Sequence, residues 1–435
     1  MQEHSANNED DLLSALTAVY QQLSTIKITT GDMNLLEALN SQSLDPSSTA
    51  FLQIRQASEG LKDILVKDSR FPGNSVRMIS ADGGSSGFYP EFVVSHLVLK
   101  TLKTRSPEAA IEWLQSILAT TNATGKTIHA LWGVPVDGEI QLTPRIRIVP
   151  IEMLPESPQK KLISGGLHFP RSSLVMASLD YEQPKSALTV DRKIEPFVFD
   201  PNVQQNFNND EFVQIHELLL DVTHVLTVIG PRVPISAAQW FTFDDPDLNQ
   251  VSITSGARRS QSLEILPISN AEYPVLDPVE ASAFVQAYLA LHVDTRNKIR
   301  VVLKRLNQAQ RRHNIGDRAV EISIALEALL GDSGKTEMTH KIKVRSVRLL
   351  GGSNEVRQKN AAVITKAYDI RSKLVHMGIS DAAKSENVCG QKMSASEIID
   401  HAITMCADLT KIIIRRGSIP DWKDFDIAEQ AQPQS

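Results

Sequence analysis

The chain has 435 residues, 42% of them hydrophobic and 22% charged, with a net charge of −6. At roughly 150 residues per domain it holds two or three units, and its composition excludes collagenous, disulfide-scaffold and wholly disordered proteins. Two cysteines, Cys389 and Cys406, fit a reducing compartment; no apolar run approaches a membrane span, and the start MQEHSANNEDD lacks signal-peptide character, so a cytoplasmic protein is expected.

In chain order, residues 1–8 are polar and read as frayed, and residues 9–28 predict a helix with an acidic first turn. Residues 50–67 predict a second helix, SADGGSSG (80–87) breaks the chain, and helical spacing resumes at 90–104 and 107–119. Residues 1–126 are thus expected to be a helical N-terminal region. Near residue 127 the texture changes. HALWGVPV, GEIQL, RIRIVPIEML, SSLVMASL, ALTV and EPFVFD are short apolar or β-branched segments between Pro, Gly and Asp, which predict strands. This β-rich α+β region runs to 266 with a helical interruption at 208–222, and residues 267–276 read as a linker.

From Asp277 the pattern is helical. Asp277-Pro278-Val279-Glu280 predicts a helix start, and one long helix is expected to about Arg311. Asp317 is expected to cap a second helix, with Ile322, Leu326, Leu329 and Leu330 on one side and Gly331 as its stop. Further helices are predicted over 337–350 and 354–377. A last one follows the capping box Ser394-Ala-Ser-Glu397, with Ile398, Ala402, Met405, Leu409 and Ile412 on its apolar face. The expected fold class is α+β: a mixed helical and β-rich N-terminal region, then an all-α bundle over 277–425 and a disordered tail over 426–435.

Several motif fragments fail. Gly125-Lys126-Thr127 and Gly334-Lys335-Thr336 lack the upstream glycine of a phosphate-binding loop. Asp244-Asp245-Pro246-Asp247 reads as a solvated turn, and His216 and His224 stand eight apart, without zinc-protease spacing. Neither a metal nor a cofactor is implied. Charge is more informative: residues 277–425 carry 24 Lys and Arg against 17 Asp and Glu, and residues 296–376 carry 18 against 7. A basic segment joined to an acidic body suggests a polyanionic partner. Within it Arg371 precedes His376 by five positions, with Ser372 and His376 on one helical face and Arg371 able to swing toward that face. Histidine can exchange protons with a ribose 2′-OH, and an Arg fork can hold the scissile phosphate, which permits RNA cleavage without metal. One histidine serves two proton transfers poorly, whereas two copies across a two-fold axis can divide them.

Three segments carry a family resemblance: Ile324-Ala-Leu-Glu327-Ala-Leu-Leu330, Lys341-Ile-Lys-Val-Arg345-Ser-Val-Arg-Leu-Leu350, and Tyr368-Asp-Ile-Arg371-Ser-Lys-Leu-Val-His376. With the tail Arg416-Gly417-Ser-Ile-Pro420-Asp421-Trp422, residues 277–425 resemble the Apea-like branch of the HEPN superfamily, whose signature is R-x4–6-H on a helix. The resemblance implies a helical bundle that dimerises and forms an endoribonuclease site from Arg371 and His376 of both copies. It also implies a place in bacterial defence or toxin systems, with a front region that senses or targets, through a protein trigger or regulator. Ser372, Glu327 and Arg345 are the expected supporting residues, Glu327 as a buried partner of Arg345 or Arg371. Lys341, Lys343, Arg348 and Lys373 are the expected RNA contacts. Ser372 stands where many active members carry Asn, Asp or His. The alternative expectation is a non-catalytic RNA-binding or protein-interaction scaffold.

Overall fold

The computed structural model describes residues 2–24, 49–68, 71, 77–81, 84–157, 160, 184–195, 197–199, 202, 210–230, 232–251, 258–259, 273–332, 337–377 and 385–427. The chain is α+β, as its sequence leads one to expect. The first helices are α1 (Gln2–Leu23) and α2 (Thr49–Lys67), so the N-terminal helix begins well before Glu9. The glycine-serine stretch is not simply a break: its flanks pair as β1 (Arg77–Ala81) and β2 (Gly84–Phe88). Helices α3 (Pro90–Thr104) and α4 (Pro107–Ala119) each open on a proline, whose fixed φ suits the first turn. Ser106 caps α4 by accepting from the Ala109 amide at 3.2 Å.

The β-rich region builds a six-stranded antiparallel sheet in the order β4-β5-β6-β3-β8-β9. Its strands are β3 (Ala123–Trp132), β4 (Ile140–Gln141), β5 (Ile146–Pro150), β6 (Ser186–Ile194), β8 (Ile235–Phe243) and β9 (Arg258–Arg259). β7 (Phe197–Phe199) joins β1 instead. The segment SSLVMASL lies outside the described residues. Gly125-Lys126-Thr127 sits inside β3, where Lys126 pairs with Asp191 at 2.9 Å, so it forms no phosphate loop. The aspartate cluster opens a short helix, α6 (Pro246–Val251). Asp245 accepts from the Asp247 amide at 2.8 Å and Asp247 pairs with Lys100 at 2.9 Å.

β3 is central and buried on both sides. Thr127, His129 and Leu131 face α5 (Asp210–Val225), while Ile128, Ala130 and Trp132 join the apolar layer behind the sheet. The Gln239 side chain accepts both His129 Nδ1, at 3.4 Å, and His216 Nδ1. Burial pushes the imidazoles of His129 and His224 down to about 4. Each is neutral in the fold and takes up a proton on unfolding below 6.5. Stability is therefore full above that pH and falls as the pH drops toward 4. At pH 5 His129 alone should cost about 2 kcal/mol relative to pH 7. The urea midpoint should fall over this window, and His129→Gln should flatten the fall; an equal slope in that variant would contradict the assignment.

The helical half contains α7 (Pro278–Leu289), α8 (Val293–Arg311), α9 (Ile315–Leu330), α10 (Met338–Leu350), α11 (Asn354–Met377), α12 (Ala395–Arg416) and α13 (Trp422–Ile427). The single long helix expected to Arg311 is two. His292 leaves helical geometry (φ −55, ψ 146) and caps α8, while Leu291 turns into the core at 5% exposure. The bend keeps both Phe284 and Tyr288 of α7 and Ile299, Val302 and Leu306 of α8 on the core. α9 is capped by Asn314, not Asp317: its side chain accepts from the Gly316 and Asp317 amides at 2.8 and 3.2 Å. The Ser394 capping box is present and α12 ends on Gly417 at φ +81. On its face Ile413, rather than Ile412, is fully buried. The bundle is not purely helical. Between α11 and α12 stands a hairpin, β10 (Ser385–Val388) and β11 (Gln391–Ser394), turning on Cys389 and Gly390 with φ +50 and +86.

The segment boundary at 267–276 does not separate two cores. Leu131, Ile148, Leu188 and Val190 of the sheet and Leu219 and Val222 of α5 share one apolar cluster with Phe284, Ile299, Leu326 and Ile398 of the bundle. Polar contacts cross the same seam. Asp221 of α5 takes both forks of Arg300 of α8 at 2.6 Å, and Asn307 donates to the Pro234 carbonyl at 3.0 Å.

Candidate functional site

The Arg371 and His376 segment occupies the last turns of α11. Tyr368 packs inward at 8% exposure, and its hydroxyl donates to Glu327 Oε1 of α9 at 3.3 Å. Burial, with Glu327 adding to it, pushes the Tyr368 phenol above its ordinary value, so it stays a donor. Arg371 Nη1 donates to the same Glu327 oxygen at 3.0 Å, and its guanidinium lies 5.8 Å from the centre of the Tyr368 ring. Glu327 therefore pairs with Arg371 rather than Arg345. It is also only partly buried, its side chain 31% exposed, where the sequence led us to expect a buried carboxylate.

Helical side chains lean toward the N-terminus of their helix. Arg371 follows that rule and runs back over Tyr368, away from the end that carries His376. The expectation that it swings toward the face of Ser372 and His376 is thus not met within one chain. Ser372, Val375 and His376 are exposed, Val375 at 59%, and among the described residues His376 has no hydrogen-bond partner. This end of α11 is seated by Leu374 on Gly316, where an added Cβ would stand 2.7 Å from Leu374 Cδ2. Gly316→Val should push the last turn of α11 outward and cost about 1–3 kcal/mol, with Gly316→Ala milder. Urea denaturation checks this; an unchanged midpoint for the valine variant would mean that α11 is not seated there.

The remaining candidates are mostly engaged within the chain. Arg345 is 1% exposed and bonds Asp332 at 2.8 Å, Asp426 at 2.7 Å and the Leu330 carbonyl at 2.6 Å, with Trp422 stacked 5.0 Å away. Burial opposes its charge, but the Asp426 and Asp332 carboxylates outweigh burial and hold the guanidinium above its ordinary value. Arg345 supports the fold and takes no part in the Arg371 cluster. Its chief partner was read from sequence as disordered tail, yet Asp426 lies in α13, whose Trp422 is buried. Lys341 pairs with Asp332 at 3.0 Å, and Arg348 donates to the Asp426 carbonyl at 2.5 Å beneath Phe425. Lys373 reaches Glu386 of the hairpin at 3.4 Å, beside Lys366 at 3.1 Å. Hydrogen bonds from Lys366 and then Lys373 hold the Glu386 carboxyl below its usual range. Lys343 is half-buried.

The site therefore joins Glu327, Tyr368 and Arg371 in one cluster and leaves Ser372 and His376 open beside it. Tyr368 was the residue sequence reasoning did not single out, although its place one turn before Arg371 was a signal for it. Compared with protein-family models, curated proteins and solved structures, the chain matches none.

Proposed function

We propose that the chain is a metal-independent endoribonuclease of the HEPN type, acting as a cytoplasmic homodimer in bacterial defence or a toxin-like system, with the front region sensing or targeting. The observation that supports this most is the exposed His376 at the end of α11, on the same helix as an Arg371 whose side chain Glu327 holds. The two groups lie on different sides of one chain, so a two-fold pairing is needed to set a histidine opposite an arginine. In such a pair one imidazole accepts the ribose 2′-OH proton and the other protonates the leaving 5′-oxygen, while the guanidinium offsets charge on the phosphorane. Atoms balance without a cofactor: the 2′-oxygen bonds to phosphorus, the P–O5′ bond breaks, one neutral imidazole gains the 2′-OH proton, and the other, protonated at the start, gives its proton to the 5′-oxygen.

Digesting total RNA with the full chain in EDTA tests the reading. Products should carry a 2′,3′-cyclic phosphate and a 5′-OH; 5′-phosphate ends, or activity that EDTA abolishes and magnesium restores, would sink it. A strict monomer at tens of micromolar by light scattering, with cleavage intact, would remove the composite site. The second reading, a non-catalytic RNA-binding or protein-interaction scaffold, is favoured by one observation. Arg371, the cation that cleavage requires, is already held by Glu327 inside the chain. RNA bound but left uncut by the wild-type chain would select it.

A further inference from the structure

Helix α8 divides its residues sharply. Ile299, Val302, Leu303 and Leu306 are buried in the shared core. On the opposite side Lys298, Val301 and Lys304 are exposed, and Arg305, Arg311 and the C-cap Arg312 are half-exposed. Residues three or four apart share a helix face, so these cations form one outward stripe. Asp294, in the first turn, is the only acidic residue of the helix.

Folding does not neutralise this stripe. Glu321 of α9 is shared between two guanidiniums, Arg305 at 2.9 Å on one oxygen and Arg312 at 3.2 Å on the other. Asp221 of α5 is taken by Arg300 at 2.6 Å. Lys298 and Lys304 have no carboxylate partner among the described residues. Neighbouring groups feel the surplus. Burial first, then Lys304 and Arg311, hold the His224 imidazole of α5 down, with Asp221 opposing them. Burial and then Arg312 pull the Arg311 guanidinium below its ordinary value. A solvent-facing surface of one sign gathers the opposite charge from solution.

The stripe ends beside the candidate site. α8 stops at Arg312, α9 begins at Ile315, and Gly316 carries Leu374 of the last turns of α11. Arg312 and His376 thus stand at the same end of the bundle, where Asp317, exposed in the first turn of α9, bounds the positive stripe. From Lys298 to Arg312 the helix rises about 21 Å, the length of about six phosphates of one stacked strand. We propose that the outward face of α8 is the track on which this protein holds RNA, through phosphates and without regard to base sequence, and that it leads the strand toward His376. Lys298 and Lys304 meet phosphates directly, and Arg305 and Arg312 add the charge that Glu321 leaves over. The choice of RNA as occupant rests on the nuclease reading; the exposure and charge of the face do not.

The test measures binding of a labelled single-stranded RNA to the intact chain over a range of potassium chloride. The RNA carries 2′-O-methyl groups, so the proposed step cannot cut it. Lys298→Ala/Lys304→Ala should weaken binding about 10- to 30-fold at ~0.1 M salt and reduce the slope of log affinity against log salt by about 1.4, the share of two phosphate contacts. Lys298→Gln/Lys304→Gln should do the same, and serves if the alanine pair misfolds. Removing equal charge from the exposed Lys103 and Lys392 should change affinity by less than about twofold. His376→Ala should bind as wild type, so the two readings fail separately. Unmodified RNA held on α8 but never cut by wild type would remove the nuclease and leave the track. RNA bound and cut equally well by the double lysine variants would remove the track and leave the nuclease. The track is also overturned if wild type shows no salt-dependent binding, or if the control pair weakens binding as much as the α8 pair. Poly-glutamate competing as well as RNA at equal charge would overturn it too, assigning the face to an acidic protein.

Discussion

His376→Ala should reduce RNA cleavage by about 10²- to 10⁴-fold, the usual contribution of a positioned proton donor or acceptor. The thermal midpoint should stay within a degree or so of wild type, since exposed positions rarely alter stability by more than about 0.5 kcal/mol. The separation follows from geometry: His376 is exposed on the last turn of α11 and makes no hydrogen bond among the described residues. Arg371→Ala should cut the rate comparably but also free Glu327 and Tyr368, so a modest loss of stability should accompany it. Arg371→Lys should restore little, because a point charge does not reproduce a planar fork. Mixing chains is the sharper experiment. A two-fold site that divides its proton transfers between two histidines should not be rescued in His376→Ala/Arg371→Ala heterodimers, which keep one imidazole, whereas wild-type/Arg371→Ala heterodimers keep both imidazoles and one guanidinium and should retain part of the activity. Full activity in His376→Ala alone would end the nuclease reading.

Arg345→Ala should be the most damaging single change to stability, at about 3–5 kcal/mol, a drop of roughly 3–6 °C in midpoint for a chain of this length. The guanidinium is nearly solvent-free and simultaneously holds α9 through the Leu330 carbonyl, the following turn through Asp332, and α13 through Asp426 and Trp422. Removing it leaves two carboxylates facing each other and a cavity under Trp422. Arg345→Lys should recover little, since one ammonium cannot reach all three partners. Limited proteolysis gives a second readout, with α13 cut first. A variant that melts like wild type, with α13 no more open to protease, would mean that Arg345 does not hold α13 in place.

Local signals in the sequence were dependable where the chain decides its own conformation. Pro90 and Pro107 mark helix starts, the Ser394-Glu397 box caps α12, and Gly417 ends it, each from interactions inside a few residues. The failures are tertiary. Nothing near His292 forbids a continuous helix; the bend exists because α7 and α8 must each turn an apolar face to the same core. Ser385–Ser394 is polar and reads as loop until Glu386 is seen to meet Lys366 and Lys373. Asp426 reads as part of a polar tail because its value lies wholly in a partner 81 positions away. At the candidate site no local pattern encodes the direction of the Arg371 side chain, which points where Glu327, on another helix, draws it.

The shared apolar cluster bears on how this protein can change over generations. Phe284, Ile299 and Leu326 of the bundle and Leu131 and Val190 of the sheet belong to one apolar cluster. Neither half is therefore a cassette that recombination can move onto another chain without leaving an apolar face uncovered. Substitutions on one side of the seam must be answered on the other, and lineages that exchange the front half should re-pack the faces of α7 and α8 in the same step. A fragment cut near residue 270 should be sticky rather than autonomous, which makes the intact chain the unit that selection, and any experiment, acts upon.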